Sequence, residues 1–418
     1  MRPRDQPGPF FLPLISPRFA SPRIKWYYFL LRDDKKEPRL KKRLFTPGPT
    51  PVPESVMLRM AEPIIHHRHV EFTDLFSRLH DNLQYLFQTS GDVLTLTSSG
   101  TGAMEAAVCN LHSPGDTAIF VNGGKFGERW GELLNVYGVQ TVEIKVNWGD
   151  SVSGEEIKKA LRDNPNAGAV YLTHSETSTG AATDIREIAK IVREESGALT
   201  VVDGITAVGA MELRMQDWGI DAVVTGSQKG LMVPPGLAFI ALSERAWQRV
   251  NTARAPRYYF DLRAARKALV SKDTPWTPAI SLVIGVDAAL GMIRREGIEN
   301  VWARHSLLAA SIREAAKAIG LKVLANHPSN ALTAMWIPET IDAKRFNSVL
   351  KNTYGITAAG GQGHLSGKIF RISHLGYYDE LDMISVISAL EMTLLNCGYP
   401  FESGAGLRAA QSTFANAQ

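Results

Sequence analysis

Lys229 stands alone in the stretch DAVVTGSQKGLMVPPGLAFIALS, between a Gln and a Gly, where an apolar run ends and another is about to begin. Asp203 closes the apolar run LTVVD in the same way. A carboxylate at the end of so apolar a strand calls for a cationic partner. A lysine held partly out of water has a lowered pKa and becomes a nucleophile for carbonyl carbons. Upstream, SSGTGAMEAA (98–107) follows the run VLTL and opens a helical pattern. Gly100 and Gly102 let the backbone approach an anion there, and a helix N-terminus offers free N–H groups. Arg371 lies in KIFRISHLG between apolar residues, and an arginine on a core-facing strand calls for an anion, for which a carboxylate is the bidentate match. Each residue also has a plainer reading. Lys229 could snorkel to water, Asp203 could cap a helix or pair with an arginine, the glycine turn could be a tight connection, and Arg371 could bridge two domains.

The elements that would position these groups follow from the pattern. From residue 90 onward, short β-branched runs alternate with helices of about three turns. Strands are expected at 93–98, 117–122, 140–146, 168–174, 198–203, 221–227 and 237–242, with helices at 101–110, 126–137, 155–163 and 184–195. This is an α/β arrangement with a largely parallel sheet covered on both faces. Ligands bind such a sheet at the carboxyl ends of its strands. The polar residues expected at those ends are Ser98–Thr101, Asn122 with Phe126, Thr173–Thr179, Asp203 and Ser227–Lys229. A phosphate cradle, an aromatic plate, a buried carboxylate and a lysine along one edge point to pyridoxal phosphate. After about residue 280 the pattern turns to long helices (280–296, 298–319, 342–354, 379–397) with short strands at 322–324, 332–336 and 369–373, as in a smaller α+β domain.

Composition sets limits. The chain has 418 residues, 44% hydrophobic and 21% charged, ordinary for a folded enzyme. Its net charge of +4 is unevenly spread: residues 1–43 carry an excess of basic side chains and seven prolines, and the remainder is mildly acidic. A nucleic-acid-binding globule is therefore disfavoured. No run is long and apolar enough to span a membrane. Two cysteines, Cys109 and Cys397, fall in no metal-binding spacing, and the cluster His66-His67-Arg68-His69 lacks supporting carboxylates, so no metal site is expected. Low cysteine usage fits a reducing, cytoplasmic setting. We read residues 1–43 as a disordered extension or a start assigned too early, 44–290 as the large domain, 291–400 as the small one, and 401–418 as a loose tail.

The motifs TPGPTPVP (46–53), SSGTGAMEAA (98–107), NGGKFGERW (122–130), YLTHSETSTG (171–180), VVDGITAVGA (201–210), TGSQKG (225–230), TPAISL (277–282) and KIFRISHLG (368–376) follow one another as in a known family. Over roughly residues 44–398 the chain resembles a class V aminotransferase of fold type I, of the alanine–glyoxylate and serine–pyruvate aminotransferase group. The resemblance implies a homodimeric pyridoxal phosphate enzyme with a seven-stranded, mostly parallel sheet and a smaller C-terminal domain. It implies that Lys229 carries the cofactor covalently, that Asp203 bonds the pyridine nitrogen, and that Ser99, Gly100, Thr101 and Gln228 hold the phosphate. Phe126 would stack on the ring, where many relatives have Trp, and Thr177 would bond its phenolic oxygen. Thr277 would reach the phosphate of the neighbouring subunit. Arg371 would clamp the substrate carboxylate, helped by the backbone near Gly48. The expected substrates are a small amino acid, alanine or serine favoured, and a 2-oxo acid such as glyoxylate or pyruvate. Two alternatives stay open: a lyase or desulfurase on the same fold, and a non-catalytic partner protein, since some relatives carry the name of a soluble-hydrogenase subunit. Gln228 argues against the desulfurases, which usually have His before the lysine.

Overall fold

The computed structural model describes residues 40–417. Most of the expected N-terminal extension lies outside them. Seven strands form the main sheet: β1 (Val93–Leu96), β2 (Thr117–Asn122), β3 (Gln140–Lys145), β4 (Ala167–Thr173), β5 (Leu199–Asp203), β6 (Ala222–Gly226) and β7 (Ala238–Leu242). Their spatial order is β1-β7-β6-β5-β4-β2-β3. All neighbouring pairs are parallel except those made by β7, which runs antiparallel to both β1 and β6. The six parallel strands therefore end at one edge. Strands β1, β5, β6 and β7 are buried at every position, which is why they read as unbroken apolar runs rather than alternating ones. The helices between successive parallel strands are Gly100–Leu111, Lys125–Val136, Gly154–Asp163 and Ile185–Glu195.

The helix starts differ in a way that matters for function. Gly154–Asp163 is closed by a Ser153/Glu156 capping box, and Ile185–Glu195 by the Asp184 side chain, so their first N–H groups are satisfied locally. Gly100–Leu111 and Lys125–Val136 start at Ser99 and Gly124 with no side-chain cap. Both follow strands that end at the same edge, but only Gly100–Leu111 is left open, because Lys125 N, Phe126 N and Gly127 N are served by Ser178 and Glu176 from elsewhere in the chain.

A second sheet, β8 (Leu332–Trp336), β10 (Ile369–Ser373) and β9 (Ala359–Gly360) in that order, is antiparallel. One hydrophobic core extends from Val56 to Trp302. Another contains Phe45 and residues from Leu308 to Phe414. The helix Ile298–Ala318 serves both, with Val301 and Trp302 in the first and Leu308 and Ile312 in the second. Arg43–Leu44 pairs in parallel with Ile356–Thr357, so the last residue of the expected extension already belongs to the folded body.

Two expectations need correction. Residues 322–324 form no strand; only a single bridge joins Val323 to Met335. The tail is not loose, because Ala405–Ala415 is a helix whose Gly406, Ala410 and Phe414 are buried. Its uncapped start is served from a distance by Glu391, which accepts hydrogen bonds from Gly404 N (2.8 Å), Gly406 N (2.7 Å) and Leu407 N (3.1 Å). Its small residues read as flexible, yet alanine is the best helix former, and Phe414 anchors the helix in the core.

Candidate active site

The loop after β6 carries Lys229, which is 8% exposed. Its Nζ donates to the Pro47 carbonyl at 2.6 Å. The segment 46–53 lies along this loop: Thr50 N donates to Gln228 O (3.1 Å) and Thr50 Oγ1 to Lys229 O (3.0 Å). Gly48 lies so close to Lys229 that a Cβ there would come within 2.5 Å of its Cε, and the lysine would have to move aside. Burial lowers the Lys229 pKa to about 8, with Asp203 opposing that shift and Arg371 and Arg129 adding to it.

Asp203 ends β5 at 3% exposure. Its Oδ1 accepts from Ile205 N at 2.8 Å, and no basic side chain lies within ion-pair distance among the described residues. Burial raises its pKa to about 7. The arginine partner considered above is therefore not present within the described chain. A buried carboxylate with an oxygen to spare suits a protonated ring nitrogen.

The phosphate end also fits. The first N–H groups of Gly100–Leu111 have no partner within the helix. Gln228 Oε1 is buried without a hydrogen-bond partner. A Cβ on Gly226 would meet that oxygen at 2.8 Å and Gly100 N at 3.4 Å. Turning the amide of Gln228 would aim donors at an anion in this cradle. Ser99, Gly100, Thr101 and Gln228 are thus gathered in one place.

Phe126 opens the helix after β2. Its position depends on Glu176, a residue that carries no signal in the sequence. Glu176 is 5% exposed and accepts hydrogen bonds from Phe126 N (3.1 Å), Gly127 N (2.9 Å), Ser178 N (3.0 Å) and Ser178 Oγ (2.5 Å). It is the missing cap of that helix, supplied from the loop after β4. Burial pushes its carboxyl pKa up, and these four donors pull the other way. Next to it, Thr177 Oγ1 and Thr206 Oγ1 share a 2.6 Å hydrogen bond.

Arg371, on β10, is 6% exposed. Its Nε and Nη2 donate to Gly360 O (3.0 and 2.7 Å), and its Nη1 to Thr177 O (2.7 Å). No carboxylate lies within ion-pair distance among the described residues, so the domain-bridging salt bridge is not formed. Burial lowers its pKa, and Glu176 offsets part of the effect. The two carbonyls fix the guanidinium plane and leave N–H bonds for a further acceptor. Thr277 is exposed in the loop before the helix Ile280–Glu296 and is not brought to these residues within the chain.

Two surface cavities, of about 450 and 410 Å³, lie elsewhere. Asp92 and Ile220, which line the second, precede β1 and β6, so it opens at the amino ends of the strands. Among the described residues no helix is long and apolar enough to cross a membrane.

The family described as aminotransferase class-V matches residues 43–382. The soluble hydrogenase 42 kDa subunit of Anabaena cylindrica is 42% identical, over 90% of this chain and 99% of that protein. Serine–glyoxylate aminotransferase of Methylorubrum extorquens is 34% identical, over 89% and 96%. The aspartate aminotransferase of Thermus thermophilus is 34% identical and superimposes with a TM-score of 0.80, over 85% of this chain and all of that one.

Proposed function

The chain belongs to the class V aminotransferase family, whose fold type I enzymes depend on pyridoxal phosphate, and from that premise we propose that it moves the amino group of a small amino acid, alanine or serine, to glyoxylate or pyruvate. The observation that carries the reading is the isolated pair Lys229 and Asp203, buried at neighbouring strand ends, with the carboxylate-free fork of Arg371 close enough to depress the lysine's pKa. We assign Lys229 the covalent attachment and the proton transfers, Asp203 the ring nitrogen, and Ser99, Gly100, Thr101 and Gln228 the phosphate. Phe126 serves as ring plate, Thr177 reaches the phenolic oxygen, Arg371 with the Gly48 backbone binds the substrate carboxylate, and Thr277 reaches a second subunit's phosphate in a homodimer. The proposed setting is the cytoplasm.

Bound pyridoxal phosphate supplies an electron-withdrawing ring that stabilises negative charge at the substrate Cα. The protein's residues do the rest. Arg371 takes the substrate carboxylate in two parallel hydrogen bonds and so fixes the Cα. Lys229 Nζ, with a pKa near 8, is basic enough to take the Cα proton and acidic enough to return one. Asp203 holds the proton on the ring nitrogen, since burial makes a lone carboxylate costly and a cationic partner favourable. The site is walled by buried residues, which keeps these charges out of water.

Small donors are favoured because a dicarboxylate needs a second cation, and of the arginines weighed for that place, Arg68, Arg254 and Arg257, the first two are exposed. Arg257 is occupied by the carbonyls of Cys109, Val250, Ala253 and Ala255. These lie towards the far end of the helix Gly100–Leu111. The desulfurase reading lacks a nucleophile: Cys109 is buried, with its thiol pushed up to about 12, and burial also raises Cys397. A non-catalytic role gives no reason to bury Lys229, Asp203 and Arg371 together without ion-pair partners. The test is a panel of alanine, serine and aspartate against glyoxylate and pyruvate, read by the spectral change of the bound cofactor and by keto-acid product. Alanine or serine should turn over fastest; a preference for aspartate, or no turnover with any donor, would refute the proposal.

A further inference from the structure

The proposed cradle contains no cation. Ser99, Gly100, Thr101, Gln228 and Thr277 are all neutral, whereas a phosphate monoester carries close to two negative charges at neutral pH. Dipoles at a helix start supply roughly half a charge. Lys229 is committed to the covalent link and Arg371 to the substrate.

The structure supplies a further cation at this end. Arg129 sits one turn after Phe126 in the helix Lys125–Val136. Helical side chains lean towards the N-terminus, so it reaches back over the open edge of the sheet. Its Nη1 donates to Thr101 Oγ1 at 3.1 Å, and its guanidinium carbon is 5.0 Å from the centre of the Phe126 ring. It is half-buried and has no carboxylate within ion-pair distance among the described residues. The nearby acidic residue of its own helix, Glu128, is engaged by Lys125. The Thr101 hydroxyl it bonds and the Phe126 ring it overlies both belong to the proposed cofactor site, and its charge acts on both Asp203 and Lys229.

We propose that Arg129 is the cation of the phosphate site: its guanidinium pairs with the phosphate of pyridoxal phosphate, while its bond to Thr101 Oγ1 turns that hydroxyl's proton towards the same anion. The hydroxyl accepts from Arg129, so its own hydrogen is left to donate. A planar guanidinium suits two phosphate oxygens at once. The same side chain lies over Phe126, and one residue thereby ties the phosphate to the ring plate.

The inference rests on the phosphate position proposed above, and the test separates the two. Dissociation constants of pyridoxal phosphate and of pyridoxal, which lacks the phosphate, are measured by absorbance and fluorescence on apoenzyme of wild type, Arg129→Gln and Gln228→Ala. Arg129→Gln should weaken pyridoxal phosphate roughly 10- to 100-fold relative to pyridoxal, the range for a lost charge-assisted hydrogen bond. Inorganic phosphate should raise the melting temperature of the wild-type apoenzyme and not that of the variant. Equal weakening of both ligands would make Arg129 a structural support and overturn the assignment. An unchanged ratio in Arg129→Gln with a reduced one in Gln228→Ala would overturn it while leaving the cradle in place. Unchanged ratios in both would remove the cradle and the assignment with it. If Arg129→Gln does not fold, Arg129→Lys carries the same measurement: it keeps the charge but loses the fork, so a smaller drop in the ratio is expected, and no drop overturns the proposal.

Discussion

Replacing Glu176 by Gln keeps the size of the side chain and removes half of its accepting capacity. Its two oxygens now serve three backbone N–H groups, of Phe126, Gly127 and Ser178, and the Ser178 hydroxyl. A glutamine can present its carbonyl oxygen to only one side of this arrangement. Its NH₂ must then face either Phe126 N and Gly127 N or Ser178 N and Oγ, donor against donor. The hydroxyl can rotate to accept, so the amide should turn its NH₂ towards Ser178. That leaves the Ser178 N–H unpaired and costs about 1–3 kcal/mol. Arg371 also loses the carboxylate that offsets its burial, and an unbalanced buried cation adds a further cost of about 1 kcal/mol or more. Relief from burying the Glu176 charge works in the opposite direction. A net loss of about 2 kcal/mol is expected, enough to lower the apoenzyme melting temperature by several °C. Glu176→Asp, with the charge kept and the reach shortened, should fall between Gln and wild type. Differential scanning of all three apoenzymes, with pyridoxal phosphate titrations beside them, reads both stability and the position of the Phe126 plate. Melting of Glu176→Gln within about 1 °C of wild type, with unaltered cofactor affinity, would refute the cap argument.

Arg371→Lys keeps the charge and loses the planar fork; KM for both amino and keto acid should rise at least about tenfold with pyridoxal phosphate content unchanged, and an unchanged KM would remove Arg371 from the substrate site. Lys229 must be neutral to capture an aldehyde, and the neutral form exists above its pKa. With the pKa lowered to about 8, about a quarter of the amine is neutral at pH 7.5, against about a thousandth for an ordinary lysine. The rate at which apoenzyme captures pyridoxal phosphate should therefore rise with pH and level off above about pH 8; a rise continuing to pH 10 would refute the lowered pKa.

Isolation made part of the site legible in the sequence. Lys229, Asp203 and Arg371 each interrupt apolar surroundings, and a charge in such a place demands a partner on the strength of the residue pattern alone. The sheet was legible for the same reason, because its strands, apart from the edge strand β3, are largely buried on both faces and bounded by glycines and polar residues. Glu176 was not legible. In HSETST it reads as one more polar loop residue, and its partners Phe126 and Gly127 are about fifty positions away. Arg129 was hidden among Lys125, Glu128 and Glu132, where it passes for part of a solvated helix face. The C-terminal helix was missed because its cap, Glu391, lies in the preceding helix, so the usual serine or aspartate signal is absent. The reversal of β7 could not be read from its apolar run, since strand direction leaves no mark in composition.

The pairing of Arg43–Leu44 with Ile356–Thr357 has a consequence for the order of events on the ribosome. The strand that leads into Pro47 and Gly48 is synthesised almost first, but its partner leaves the exit tunnel some three hundred residues later. Phe45 must wait still longer, because the core it enters is completed by Phe370 and Phe414. The large sheet can assemble while translation continues. The floor beneath Lys229 is only partly secured by then: Thr50 can already bond Gln228 O and Lys229 O, but the strand that leads into Pro47 has no partner until Ile356–Thr357 emerge. A chain truncated before residue 356 would lack the partner of Arg43–Leu44, and Pro47 would be kept over Lys229 only by the segment's own contacts from Thr50 onward.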